Sequence, residues 1–375
     1  MTKTMKVLVS LALLAAFGGA LVFALRDQHT AIEQQKAAIE DASVVSLKGV
    51  IAVDVEEYFK DPRVQKVLAA NKLPVQVTRM GSRDMAGKVV AGASPDFFFP
   101  SGVVAANQIT EAARKANVSA AQVTPFYTPL VIASWEPIVQ ILVANGLASK
   151  LQPHVYGVDM EKLTRAMLER KRWKDLKASE AYPVSRSLLV STTDVRRSNS
   201  AAMYLALTSA ALKGDMVTDL ATARQVAAQL AELFKRQGYQ ENYVNGNFDD
   251  YKSQGMGKTP LAWIYENQLV GYALANKGIQ PEMVLMYPQP TINNKVVFIA
   301  TNERAKALGQ LLATNAELQS IAVEYGFRIA DAVKFANAVK PTGLAIDARL
   351  ANVIDPPSAE VMAEMIDVVS KEMAQ

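Results

Sequence analysis

Short apolar runs alternate along the chain with longer amphipathic stretches, the rhythm of strands joined through helices. The runs Leu47–Val55, Leu73–Thr78, Pro95–Phe99 and Pro129–Ser134 predict strands. The stretches between them predict helices over Pro62–Ala70, from Asp84 onward, over Val103–Ala116 and over Ile138–Gly146. Further helices are expected at Met160–Leu176, Ala201–Leu212 and Thr218–Gly238. In the last of these, Leu220, Val226, Leu230 and Leu233 line one apolar face among Arg224, Gln225, Glu232 and Lys235. Ser187–Thr192, Leu261–Tyr265, Met283–Tyr287 and Val296–Thr301 read as strands, residues 245–257 as a connecting loop. Arg304–Leu312, Asn315–Tyr325 and Ser358–Ala374 close the chain as helices, and no internal repeat or low-complexity tract breaks the pattern. The expected class is α/β, with sheets flanked by helices.

One run differs in kind. Val7–Leu25 carries no charge and has no polar face, and as a helix it would reach ~28 Å, about the hydrocarbon thickness of a bilayer. Lys3 and Lys6 precede it, which sends the remainder of the chain across the membrane. Its length favours an uncleaved transmembrane anchor, while Val22-Phe23-Ala24 leaves a cleaved signal sequence open. Residues 1–27 are therefore read as anchor or signal, and the polar residues 28–46 as a stalk. Both readings place the bulk of the protein outside the cytoplasm, single-pass at the cell membrane or free in the periplasm.

Composition narrows the chemistry. The 375 residues suit two domains of ~150 residues or one two-lobed unit. Half the residues are apolar and 20% are charged, which excludes a largely disordered chain. A net charge of +4 without any dense Lys/Arg tract argues against nucleic acid as a partner. With no Cys and two His, thiol catalysis, disulfides, iron–sulfur clusters and Cys/His zinc sites are excluded. No Gly-x-Ser-x-Gly elbow and no His-Glu-x-x-His helix is present, so no enzyme, metal or cofactor is expected. Gly255-Met256-Gly257-Lys258-Thr259 lacks the first glycine of a phosphate-binding loop and is followed by Pro260. The pairs Glu56-Glu57 and Asp249-Asp250 lack the spacing of a calcium loop and read as surface charge.

Three turns carry the candidate chemistry. Leu73–Thr78 runs into Gly81-Ser82-Arg83-Asp84, Pro95–Phe99 into Pro100-Ser101-Gly102, and Leu188-Leu189-Val190 into Ser191–Asp194 and then Arg197-Ser198-Asn199-Ser200. Each offers hydroxyls and free backbone N–H groups after a strand, where open α/β sheets bind polar ligands.

The order of these segments, with Gly49–Val53, Thr128–Ala133, Lys171–Leu176, Trp263-Ile264-Tyr265-Glu266 and Leu285–Pro288, resembles the type II solute-binding proteins of ABC transporters, notably the sulfate- and molybdate-binding group. The resemblance spans roughly residues 47–330. It implies a two-lobed clamp with mixed sheets, lobe 1 from 47–134 plus 288–375 and lobe 2 from 135–287, the chain crossing near Pro129–Ser134 and returning near Tyr287–Pro290. Gly81, Ser82, Ser101, Gly102, Ser198, Asn199 and Ser200 would donate hydrogen bonds to a small polar or anionic solute, and Glu266 would border the cleft. Arg83, Arg196 and Arg197 would offset a ligand's charge. The implied role is delivery to an ABC transporter permease, or sensing. The alternative is a membrane-tethered interaction or scaffold protein that keeps the clamp but no longer binds solute, docking another membrane protein.

Overall fold

A computed structural model describes residues 45–374 of the chain. The run Val7–Leu25 and nearly all of the expected stalk lie outside the described residues. Among the described residues no helix is long and apolar enough to cross a membrane.

Ten strands form one mixed sheet in the order β2-β1-β3-β9-β4-β8-β6-β5, with β7 added beside β4 and β10 beside β9. The strands are β1 (Leu47–Ile51), β2 (Val75–Arg79), β3 (Phe97–Phe99), β4 (Ala121–Trp135), β5 (Ala148–Gln152), β6 (Val155–Asp159), β7 (Ala262–Tyr265), β8 (Met283–Gln289), β9 (Thr291–Ala300) and β10 (Val353–Ile354). β1 runs parallel to β2 and β3, as alternating strands and helices require, whereas β9 runs antiparallel to β3 and β4.

β4 joins the two parts of this arrangement. Its first part, Ala121–Pro129, pairs with β9, and its second part, Leu130–Trp135, pairs with β7 and β8. One strand thus belongs to two sheet halves, and β8 and β9, adjacent in sequence, divide between them in the same way. The sequence pattern predicts only Pro129–Ser134 because Pro125 and the irregular register between Val123 and Phe126 interrupt the upstream alternation.

Helices cover both faces. On the first half lie α1 (Glu56–Lys60), α2 (Pro62–Ala70) and α3 (Val103–Lys115), later joined by α10 (Glu303–Thr314) and α11 (Ala316–Glu324). Several begin on side-chain caps: Asp61 accepts from the Arg63 N–H with Pro62 in the first turn, Asn302 from Ala305 N–H, and Asn315 from Glu317 and Leu318 N–H. The second half carries α4 (Glu136–Ala144), α5 (Met160–Leu168), α6 (Asn199–Lys213), α7 (Leu220–Lys235), α8 (Val244–Lys258) and α9 (Glu266–Ala275). α6 is buried on almost every side, which suits its Ala-rich, weakly amphipathic sequence. α12 (Ala332–Val339) and α13 (Ala359–Met373) complete the chain. α13 packs against α7 in the second half, burying Val361, Met362, Met365 and Val369 and joining Arg224 to Glu364 at 2.5 Å.

Several expectations are corrected. β1 ends at Ile51, and Val53–Val55 turns in a short 3-10 helix. The helix expected from Asp84 is only the 3-10 turn Met85–Lys88. Met160–Leu176 stops at Leu168, and Ser187–Thr192 contributes only two isolated bridges, Ser187 with Arg172 and Ser191 with Ala262. The expected loop 245–257 is α8, in which Phe248 and Tyr251 are buried and the non-helical Gly255 makes a kink. Here tertiary burial of two aromatic rings outweighs the low helix propensity of an Asn- and Gly-rich segment.

Candidate functional site

The first turns of the two halves meet across a small cavity. Gly81, Ser82 and Ser101 come from the ends of β2 and β3, and Ser198 and Asn199 from the start of α6; together they wall a cavity of about 30 Å³. Val53, Asp54 and Tyr265 belong both to this wall and to that of a wider cavity of about 750 Å³, bounded by α1 and the end of α11 on one side and by α8 and α9 on the other.

Of the residues expected to touch ligand, the turns after β2 and β3 are tied to each other. The Ser101 N–H donates to Ser82 Oγ at 2.9 Å, and the Ser101 hydroxyl donates to Asp54. Across the cavity, Thr193 donates to Ser198 Oγ at 2.7 Å, and Asn199 Nδ2 donates to Asn294 Oδ1 at 3.3 Å and to the Tyr265 hydroxyl at 3.4 Å. Gly102 stands where these elements close on each other: its φ is 81°, and a Cβ there would lie 2.6 Å from Asn199 Nδ2 and 2.7 Å from Asn294 Oδ1. Only glycine accepts both that backbone conformation and that approach.

Ser200 and Glu266 do not wall either cavity. Ser200 is buried in α6, with its carbonyl accepting from the Trp263 indole at 2.9 Å. Glu266, the first residue of α9, is fully buried and held by Arg328 through two contacts, with the Tyr287 hydroxyl donating to it as well. Its carboxylate serves the packing where the halves join. Arg196 grips Asp194 at 2.7 Å, Arg83 donates to the Arg196 carbonyl across the halves at 3.0 Å, and Arg197 lines the small cavity with its side chain exposed. Burial pulls the Arg83 guanidinium below its usual range.

Asp54 is the residue that the sequence pattern passes over, since it lies inside the apolar run Val50–Val55. The turn after β1 brings its carboxyl to the junction of the two cavities. Burial pushes that carboxyl up to about 6 from an ordinary 3.8, and the Ser101 hydroxyl offsets only part of the cost. Burial, with the Asp54 charge beside it, holds the Tyr265 hydroxyl well above the usual tyrosine range. The one sequence signal for Asp54 was a lone acid in the run Val50–Val55, otherwise made of Val, Ile and Ala.

No protein-family model matches this chain, and no curated protein matches it. Solved structures do. A putative spermidine/putrescine ABC transporter protein from Listeria monocytogenes aligns with a TM-score of 0.55 at 11% identity, over 88% of this chain and 99% of that one. A putative extracellular solute-binding protein from Bordetella parapertussis aligns at 0.54 and 10%, over 88% and 99%. Iron-bound HitA from Pseudomonas aeruginosa aligns at 0.51 and 12%, over 88% and 100%. At such identities the likeness is one of fold, and the fold is that of the type II periplasmic solute-binding proteins that the order of segments resembles.

Proposed function

We propose that this chain is an extracytoplasmic solute-binding protein that closes two lobes around a small polar solute, for delivery to an ABC transporter or for sensing. The observation that carries the reading is the meeting of turns from two sheet halves, Ser82 and Ser101 against Ser198 and Asn199, over strands that run through both halves. A cavity of about 30 Å³ between them fits a clamp in its closed position. In this reading 47–134 and 288–375 supply one lobe and 135–287 the other, with α13 returning to the second. Gly81, Ser82, Ser101, Ser198 and Asn199 border the solute. The uncharged run Val7–Leu25 behind Lys3 and Lys6 supports an extracytoplasmic location. That the fold is shared with binding proteins supports a non-catalytic role.

Native mass spectrometry of the full-length chain, released from detergent and compared before and after denaturation, tests the reading. A small molecule lost on denaturation is the expected result. An unliganded mass, together with no thermal stabilisation by amines, oxyanions, amino acids or sugars, would favour a scaffold that has kept the clamp without its ligand.

A further inference from the structure

Resting on the solute-clamp reading, we infer that the cleft takes an organic cation, with its ammonium or guanidinium head on Asp54 and its body in the wider cavity. The first ground is a contrast among carboxylates. The buried acids Asp61, Asp194 and Glu266 each hold an arginine, Arg63 at 2.7 Å, Arg196 at 2.7 Å and Arg328 at 2.6 Å. Asp54 holds none: its side-chain partner is the Ser101 hydroxyl, and no Lys, Arg or His among the described residues forms an ion pair with it. Asp54 is half-buried at the junction of the two cavities, and a cationic solute that covers it supplies the missing countercharge.

The second ground is where the donors point. An anion at this place would rely on the Ser82 and Ser198 hydroxyls and Arg197, because the Ser101 N–H is taken by Ser82 and the Ser101 hydroxyl by Asp54 itself. An anionic head would sit against an unneutralised carboxylate. Arg197, on the opposite wall, is exposed and forms no ion pair with Asp54.

The wider cavity carries the same preference. Asp54, Glu57, Asp249 and Glu324 line it against two cations, Arg63 and Lys252, and both cations are already engaged: Arg63 with Glu324 at 2.7 Å, Lys252 with Asp249 at 2.9 Å. The wall also shows how it seats an ammonium, since Lys252 Nζ stands 4.8 Å above the Phe248 ring while paired to that carboxylate. Tyr272 meets Phe248 edge to face and extends the aromatic wall. A volume of about 750 Å³ behind a 30 Å³ recess suits a head group with a carbon body. A bare metal ion is a poorer fit, because among the described residues no cluster of three or more His, Cys, Asp or Glu is placed to hold one.

The test is calorimetric titration of the full-length chain, wild type and Asp54→Asn, with 1,4-diaminobutane, butylamine, succinate and sulfate. Diamine or amine binding that Asp54→Asn weakens roughly 10- to 100-fold is expected, with no binding of succinate or sulfate. Unchanged circular dichroism, and a melting temperature no lower than wild type without ligand, would separate a ligand-facing carboxylate from a structural one. Succinate or sulfate binding that Asp54→Asn leaves intact or strengthens would overturn the charge assignment and leave the clamp reading standing. Amine binding indifferent to Asp54→Asn would overturn it likewise. Silence with all four probes would overturn the assignment, and silence joined to an unliganded native mass would count against the clamp reading as well.

Discussion

Glu266 and Arg328, 62 residues apart in sequence, hold each other by two parallel contacts, Arg328 Nε to Oε2 at 2.6 Å and Nη2 to Oε1 at 2.8 Å, with neither side chain reaching solvent. Glu266 opens α9 directly after β7, and the Arg328 backbone exchanges hydrogen bonds with Tyr127 on β4. The second Arg328 amine, Nη1, donates to the carbonyls of Asp347 and Ala348 at 3.0 Å each. The pair therefore joins three segments at the crossing between halves.

Glu266→Gln is expected to destabilise the fold by about 3–5 kcal/mol, because it leaves a buried guanidinium without its countercharge. The double substitution Glu266→Gln, Arg328→Met should cost less than Glu266→Gln alone. Urea unfolding of the three proteins checks this, and a double variant worse than the single one would mean the pair contributes net attraction beyond mutual neutralisation.

Asp54 makes stability depend on pH with a definite sign. Its folded-state value near 6 lies above the ordinary 3.8, so between those values the folded chain keeps a proton that the unfolded chain has lost. The cost of the ionised carboxylate is therefore absent below about pH 4, and stability falls as pH rises from there through 6, by on the order of 2–3 kcal/mol in all. Thermal melts of wild type and Asp54→Asn across pH 4 to 7 should show a difference that grows in favour of the variant. Glu57, Arg63, Arg197, Asp249, Lys252 and Glu324 face the same cavities and are common to both proteins, so the difference curve isolates Asp54. A flat difference would place the carboxyl in contact with water.

Gly102→Ala is expected to wedge the halves apart. A methyl group would press on Asn199 and Asn294 from a residue at a φ of 81°, costing about 1–2 kcal/mol in backbone strain before any displacement. Small-angle scattering should report a larger radius of gyration, and calorimetry a weaker solute. An unchanged radius with wild-type stability would mean that the two asparagines move aside freely.

The attachment of α13 should divide sharply between its apolar and its charged contacts. Met365→Ala, fully buried against α7, is expected to cost about 2–5 kcal/mol, whereas Arg224→Ala, which removes the partly exposed pair with Glu364, should cost less than about 1 kcal/mol. Chemical denaturation of both variants decides the ranking.

Strands and capped helices were legible where one element met one local rule. The apolar runs ending near Thr78, Phe99, Tyr265 and Tyr287 are strands, and Asn315 and Ser358 start helices where hydrophilic caps precede apolar periodicity. Gly81, Ser82, Ser101, Ser198 and Asn199 were legible as polar turn residues because turn chemistry is local, and folding then brings them to one cavity. Other features depend on distant partners. Glu266 follows a strand exactly as a cleft residue would, and only Arg328 removes it from the cleft. Asn247 looks like a loop residue until its amide is found bonding the carbonyls of Ser191 and Trp263 from within α8. Asp54 was hidden by the opposite effect, a strand that stops four residues sooner than its apolar run.

The short segment Asp355–Ser358 gives the molecule a leash. It leaves β10, which is paired to β9, and delivers the chain to α13, which is fastened on α7. The polypeptide thus passes between the halves a third time, starting beside the β8–β9 passage, where Val353 pairs with Thr291 and Ile354 with Ile292. Four residues reach at most ~14 Å, and Pro356-Pro357 stiffens them further. If the halves part as the proposed clamp requires, this third connection limits how far they can separate to the length of the leash.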